Sequence, residues 1–155
     1  MGFSHVDEEG KVTMVDVSHK TDTQRIATAC GKVRLPEEVL KHVVGSDIVG
    51  TKGPIFQTAK IAGIQAAKRT SDLIPLCHPL PITSIEVNLK LVEDLVLITS
   101  TVKTTGKTGV EMEALTASSM AALCVYDMCK ALSHNIVIEE VRLTHKSGGK
   151  SEFNA

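Results

Sequence analysis

The sequence predicts an α+β domain built on one antiparallel sheet with its helices on one face. Four segments have the composition of β-strands, and two long segments repeat apolar residues at helical spacing. These six segments follow one another in the order β-α-β-β-α-β. The chain has 155 residues, 43% hydrophobic and 23% charged, which fits one globular domain over 1–155 with flexible ends at 1–13 and 150–155.

The first half of the chain supplies one strand and two helices. The strand is predicted at RIATACGKVRL (25–35), where every second residue is apolar or small. PEEVLKHVV (36–44) follows as a short helix, opened by its proline and closed by Gly45, as the capping preferences of these residues favour. TKGP (51–54) is a turn, and PIFQTAKIAGIQAAKR (54–69) has the apolar spacing of a longer helix.

The second half supplies a hairpin, a helix and a strand. SIEVNLKLV (84–92) and LVLITSTVKTT (95–105) are strands joined by a tight turn at Glu93-Asp94. The longest helix is predicted at 110–132, the last strand at NIVIEEVRLTHK (135–146), and a polar tail follows. With the short helix set aside, this order is the ferredoxin-like arrangement of two split βαβ units.

Composition excludes several classes of function. A net charge of −1 argues against a general binder of nucleic acids or anionic membranes. No run of apolar residues is long enough to span a bilayer, and MGFSHVDEEG lacks the pattern of a secretory signal, so we expect a cytoplasmic protein. The four cysteines form no C-x-x-C pair and hence neither a zinc ribbon nor a thioredoxin motif.

Cys77 and His78 stand side by side in the proline-rich stretch DLIPLCHPLPIT. Neighbouring side chains of an extended segment point to opposite sides, which makes the two poorly placed to bind one metal ion or to form a thiolate–imidazole pair. From the residues alone, a pocket lining is favoured over a metal site.

Three turns are rich in glycine and lysine: TKGP, TTGKTG (104–109) and HKSGGK (145–150). The middle turn fails the phosphate-loop pattern, because Thr101 stands where glycine is required. Backbone amides before a helix, with lysine nearby, still suit an anion, so the three turns together favour a polyanionic ligand.

The longest helix carries a stripe of small and apolar residues between Glu113 and Asp127, and Lys130 lies one turn beyond Asp127. Asp127 and Lys130 form either a surface ion pair or a proton-transfer pair. Glu113 and Asp127 are fourteen residues apart, about 21 Å along a helix. If both carboxylates serve one small-molecule site, we expect a symmetric oligomer in which two chains build each site.

Four blocks of the sequence, MVDVSHK (14–20), 59–80, 105–130 and HKSGGKS (145–151), resemble the MoaC family of cyclic pyranopterin monophosphate synthases. The resemblance implies a ferredoxin-like subunit and a homohexamer of three dimers with sites at subunit interfaces. It also implies a lyase of molybdenum cofactor biosynthesis, which converts 3',8-cyclo-7,8-dihydro-GTP to cyclic pyranopterin monophosphate and releases pyrophosphate. We expect no cofactor and no bound metal ion.

The family's functional residues carry over onto matching positions. The resemblance implies four catalytic residues, Asp127, Lys130, Lys52 and Lys146, and five substrate-contacting residues, Leu76, Cys77, His78, Met112 and Glu113. Lysines in flexible turns suit the neutralisation of a leaving pyrophosphate, and Asp127, Lys130 and His78 suit proton transfer. Cys77 and His78 are then pocket wall and hydrogen-bonding group. Arg25 is a further substrate-binding candidate, at the end of a polar segment (18–25) that is either a solvated loop or a lid.

Two other classes of protein share parts of this pattern. RNA recognition motifs have the same element order but read bases with aromatic residues on central strands, and LVLITSTVK (95–103) has none. A non-catalytic regulatory domain that binds a small anion at a subunit interface is the second alternative, which turnover of substrate would distinguish from an enzyme.

Overall fold

The computed structural model of the protein describes residues 5–7 and 9–155. Along the chain its elements are β1 (Thr23–Arg34), α1 (Glu37–Leu40), β2 (Val43–Val44), β3 (Asp47–Gly50), β4 (Gly53–Pro54), α2 (Ile55–Lys68), α3 (Thr70–Leu73), β5 (Ile82–Val92), β6 (Leu95–Gly106), α4 (Glu111–Cys129), β7 (Val137–Ser147) and β8 (Phe153–Asn154).

The main sheet has five strands in the spatial order β5-β6-β1-β7-β8, and every neighbouring pair is antiparallel. With the short elements set aside, the chain order is β1-α2-β5-β6-α4-β7. Strand β6 lies between β1 and β5, so the two parallel strands of the first βαβ unit are not neighbours. This is the split arrangement of the predicted ferredoxin-like α+β fold, which is therefore confirmed.

The core lies between the sheet and the two long helices. Helix α2 packs on β5 and on α4, and α4 covers β1, β6 and β7. The sheet contributes Val33, Val87, Val96 and Ile98 to this core, and the helices contribute small residues, mostly alanine. Small side chains let the helices approach closely: a Cβ on Gly63 of α2 would lie 2.9 Å from the Ala117 carbonyl oxygen of α4.

The predicted helix over 36–44 is wrong in its second half. Helix α1 ends at Leu40, and Val43–Val44 pair as strand β2 with Asp47 and Ile48 of β3. β-Branched valines favour the extended backbone. Gly45, with φ of 63°, does not cap a helix but stands first in a two-residue hairpin turn, a position that suits glycine.

The predicted hairpin of β5 and β6 is confirmed. Val92 pairs with Leu95, and Glu93 takes a left-handed φ of 57° in the turn. The polar tail contains an element absent from the sequence prediction, because Phe153 and Asn154 form β8 on the edge of β7. Among the described residues no helix combines the length and apolar character needed to cross a membrane.

Candidate active site

The first cavity, which we call the Glu113 cavity, has a volume of about 370 Å³ and lies between the loop before β5 and the start of α4. The loop contributes Leu76, Cys77 and His78, and the helix contributes Met112 and Glu113. The structure therefore brings together all five residues for which the resemblance implies contact with the substrate. Further lining comes from Val15, Val17 and Lys20 of the preceding segment and from Thr108, Gly109 and Glu111.

Packing and a buried hydrogen-bond network hold the first turns of α4 in place. Ala114 packs against Ala29 of β1 and Val102 of β6. The Ser100 hydroxyl of β6 donates to the Ala114 carbonyl oxygen at 2.6 Å and shares a 2.7 Å hydrogen bond with the Ser118 hydroxyl. Because buried hydroxyls need partners, this network fixes the rotation of α4 and directs Glu113 to the cavity.

Glu113 is a buried carboxyl, 4% exposed. Burial raises its pKa to about 7, a hydrogen bond from its own backbone opposes the rise, and the charge of Glu111 adds to it. No lysine, arginine or histidine of the described residues forms an ion pair with it. A carboxyl with such a pKa accepts or donates a proton near neutral pH, as a general acid or base must.

Cys77 and His78 both line the Glu113 cavity, although neighbours in an extended segment are expected to point to opposite sides. His78 Nε2 hydrogen-bonds to the Val15 carbonyl oxygen at 2.8 Å. Burial, and then the charge of Glu113, raises the pKa of the Cys77 thiol. A raised pKa keeps the thiol protonated at neutral pH, which favours a role as cavity wall over that of a nucleophile. Across the described ranges, no three His, Cys, Asp or Glu side chains are grouped to hold a metal ion.

A second, smaller cavity adjoins the first and shares Lys20, Thr108, Gly109 and Glu111 with it. We call it the anion cavity, because five cationic side chains line its 150 Å³: Lys20, Arg25, Lys107, Lys146 and Lys150. Among the residues that the structure describes, Glu111 is the one carboxylate in its lining. Cations that converge on a small space from several elements suit a polyanion.

Two of these cations are held in place by hydrogen bonds to backbone carbonyl oxygens. The Arg25 guanidinium donates to the carbonyl oxygens of Gly106 and Lys107, both at 3.4 Å. Lys107 Nζ donates to the Ser18 carbonyl oxygen at 2.8 Å and so ties the segment before β1 to the loop before α4. The segment therefore walls the Glu113 cavity through Val15, Val17 and Lys20, and Lys20 also lines the anion cavity.

Asp127, Lys130 and Lys52 lie elsewhere, near the other end of α4. Lys130 Nζ donates to Asp127 Oδ1 at 2.6 Å, and the two side chains are 51% and 59% exposed. The hydrogen bond and charge of Lys130 lower the pKa of Asp127, to which Lys52 adds, and Asp127 in turn raises the pKa of Lys130. At neutral pH this is a carboxylate beside an ammonium group, suited to neutralising phosphate or donating a proton.

Asp47 holds the turn that carries Lys52. Its Oδ1 accepts hydrogen bonds from the backbone N–H groups of Ile48, at 2.6 Å, and Phe56, at 2.8 Å. The second of these satisfies a free N–H in the first turn of α2. Lys52 itself lies exposed in the two-residue turn between β3 and β4.

Within one chain, the predicted site residues therefore form two groups. Lys146 and Arg25 lie in the anion cavity beside the Glu113 cavity, whereas Asp127, Lys130 and Lys52 lie about 21 Å away along α4. Sequence reasoning identified the basic turns but did not select Lys107, Lys150 or Glu111 as site residues. The glycines beside them, Gly106, Gly109 and Gly149, were the available signal.

Comparison with known proteins places the chain among named relatives. A model of the MoaC family matches residues 14–149. Over 152 residues the chain is 52% identical to a protein of Desulfitobacterium hafniense named cyclic pyranopterin monophosphate synthase, an alignment that covers 97% of this chain and 92% of the relative. A protein of Heliobacterium modesticaldum with the same name is 54% identical over 151 residues, or 96% of this chain and 94% of the relative.

Proposed function

This chain belongs to the MoaC family, whose members act in molybdenum cofactor biosynthesis, and we propose that it converts 3',8-cyclo-7,8-dihydro-GTP to cyclic pyranopterin monophosphate with release of pyrophosphate. It is a lyase of the kind its relatives' name describes. The observation that carries the proposal is the continuity of the Glu113 cavity and the anion cavity, which suits a nucleotide-derived ring system with a polyphosphate tail.

The Glu113 cavity is the proposed site of the ring system. Its lining is mixed, with apolar Leu76 and Met112 beside the polar groups of Cys77, His78 and Glu113. Apolar surface suits the faces of a fused ring, and buried polar groups fix its orientation. Glu113 titrates near neutral pH and is suited to exchanging protons with the ring nitrogens as rings open and close.

The anion cavity is the proposed site of the triphosphate. A cyclic phosphate forms when a substrate oxygen attacks the α-phosphorus; the bond from that phosphorus to the bridging oxygen breaks, and pyrophosphate leaves with the electron pair. The attacking oxygen loses its proton to a neighbouring base. Lys146, Arg25 and Lys107 are placed to stabilise the charge that develops on the leaving group.

Asp127, Lys130 and Lys52 reach this site, we propose, from a partner subunit. Met120 lies midway between Glu113 and Asp127 on α4, so a two-fold axis beside Met120 would place the α4 helices of two chains antiparallel. Glu113 of each chain would then lie opposite Asp127 of the other. The outer side of α4 has apolar groups for such a contact, since Leu123 is 52% exposed and Met112 38% exposed. Three such dimers form the proposed homohexamer.

The protonated state of Lys130 limits its proposed role. Because Asp127 raises its pKa, Lys130 is a cation that donates a proton or neutralises phosphate, and Asp127 is the base of the pair. Lys52 adds a second cation to this group. We place pyrophosphate release and proton transfer between these residues of one subunit and the two cavities of the other.

The test is pyrophosphate release from 3',8-cyclo-7,8-dihydro-GTP by the native protein, Asp127→Asn and Lys130→Ala. Severe loss in both variants, with a cyclic-phosphate pterin formed by the native protein, is the expected result. Matched controls are Asp94→Asn and Lys41→Ala, which alter exposed ion pairs with Arg34 and Glu37 away from both cavities. If the native protein binds the substrate and releases no pyrophosphate, the proposal is wrong and a non-catalytic regulatory domain that binds a small anion is the better interpretation.

A further inference from the structure

The boundary between the two cavities is marked by an ion pair. Lys146 Nζ of β7 lies 3.3 Å from Glu111 Oε1 of α4, and each side chain is 31% exposed. Glu111 is one of the four described residues that line both cavities, and its partner Lys146 lies on the side of the anion cavity.

Gly109 makes room for the carboxylate of this pair. A Cβ on Gly109 would lie 1.9 Å from Glu111 Oε2 and 2.7 Å from its carboxyl carbon, so any larger residue would displace the carboxylate. The Glu111 side chain is therefore folded back over the backbone of the loop before α4. Its position depends on a glycine two residues earlier.

Lys146 differs from the other cations of the anion cavity. Within the described parts of the chain, Lys20, Arg25, Lys107 and Lys150 form no ion pair with a carboxylate, and Arg25 and Lys107 donate to carbonyl oxygens instead. Among the described residues, Lys146 is thus the one cation of this cavity that pairs directly with a carboxylate.

We propose that Glu111 is a positioning residue that holds Lys146 while the anion cavity is empty and is displaced from it by ligand phosphate oxygens. The role rests on the proposed function, because it takes the ligand to be a polyphosphate. When a polyphosphate binds, its oxygens replace Glu111 as the partner of Lys146. Because the ion pair must break, the affinity of the cavity for the ligand is lower than it would be without Glu111. When pyrophosphate has formed, the carboxylate competes for Lys146 again and speeds the departure of the product.

The probe is inorganic pyrophosphate, titrated by calorimetry into the native protein and Glu111→Gln at fixed salt concentration. Loss of the competing carboxylate should tighten binding about threefold, the scale of a partly exposed ion pair. The matched control is Glu140→Gln. Glu140 lies on β7, is 28% exposed and pairs with Lys32 of β1 at 2.7 Å. The affinity of this variant for pyrophosphate should equal that of the native protein. Unchanged or weaker binding by Glu111→Gln overturns the proposal.

Gly109→Ala provides a second, independent variant. The added Cβ moves the Glu111 carboxylate from Lys146 without removing its charge, so pyrophosphate should again bind more tightly than to the native protein. Weaker binding than native in this variant, with the fold retained, counts against displacement. The variant keeps the proposal testable if glutamine at 111 prevents folding.

Steady-state turnover separates positioning from a structural role. In Glu111→Gln kcat/KM should rise about threefold, because the phosphates of substrate and transition state both gain the freed Lys146, and kcat should fall about threefold when pyrophosphate release limits turnover. A structural defect would lower kcat/KM instead, which contradicts the proposal. Failure of the proposed function is distinguishable, because tighter pyrophosphate binding by both variants would stand even where the native protein shows no turnover.

Discussion

Glu113→Gln should remove a large pH dependence from the stability of the protein. The native carboxyl is 4% exposed, and burial raises its pKa from 4.5 to about 7. A raised pKa means that the folded state binds the proton more tightly than the unfolded state. The stabilisation is complete below pH 4.5 and is lost as the pH rises through about 7.

The size of the Glu113 pKa shift sets how much the free energy of unfolding changes with pH. At 1.36 kcal/mol for each pKa unit, it corresponds to about 3 kcal/mol between acid and mildly alkaline solution. Glutamine has the same shape and does not ionise in this range. Near pH 5 the variant and native protein should therefore differ little, and near pH 8 the variant should be more stable by about 3 kcal/mol.

The assay is urea unfolding followed by far-ultraviolet circular dichroism at several pH values. Protein concentration is held constant, because assembly contributes to apparent stability. The control is Glu38→Gln, which removes an exposed carboxyl of α1. A stability difference between Glu113→Gln and native protein that stays the same from pH 5 to pH 8 would refute the argument from burial.

Three further predictions concern single positions. Cys77→Ala should keep measurable pyrophosphate release, because a protonated thiol serves as wall; complete loss of turnover with an intact circular dichroism spectrum would indicate covalent catalysis. Glu93→Gly should raise the free energy of unfolding by about 0.5 kcal/mol in urea titrations, because glycine accepts the φ of 57° without strain, and a decrease would contradict this. Asp47→Ala should lower it by about 1–2 kcal/mol through the two lost hydrogen bonds, whereas Asp47→Asn, which keeps an acceptor oxygen, should lose less; equal losses would exclude the capping role.

The long elements of the fold follow from periodicity and turn chemistry. Strand β1, the β5–β6 hairpin and α4 lie within a few residues of their predicted bounds, because each combines a clear apolar pattern with a marked end. The residues after Leu40 differ. There Pro36 and Gly45 stand where the ends of a helix would be, which predicts a helix up to Val44. In the structure Val43–Val44 pair with β3 instead, and this pairing selects a strand. Strand β8 likewise depends on an edge that the sequence does not display.

The candidate site is predictable in part. The stretch around Cys77 and the start of α4 were both selected, and the structure brings them into one cavity. The basic turns indicated an anion, yet the proximity of Lys107 to Lys146 arises from the pairing of β6 and β7 with β1 and has no local signal. The pairing of Glu111 with Lys146 is a side-chain arrangement that spacing alone does not encode.

Mixing two inactive variants tests the composite site most directly. Glu113→Gln impairs the half of each site that the Glu113 cavity of one subunit forms. Asp127→Asn impairs the half that the partner subunit contributes. Each variant alone should therefore be inactive. When subunits of the two exchange at equal concentrations, half of the dimers are mixed, and each mixed dimer has one site with both halves intact. The mixture should recover about a quarter of native pyrophosphate release, because one site in two is intact in half of the dimers. Activity of the mixture no higher than that of either variant alone, with exchange verified by differently tagged subunits, would contradict it.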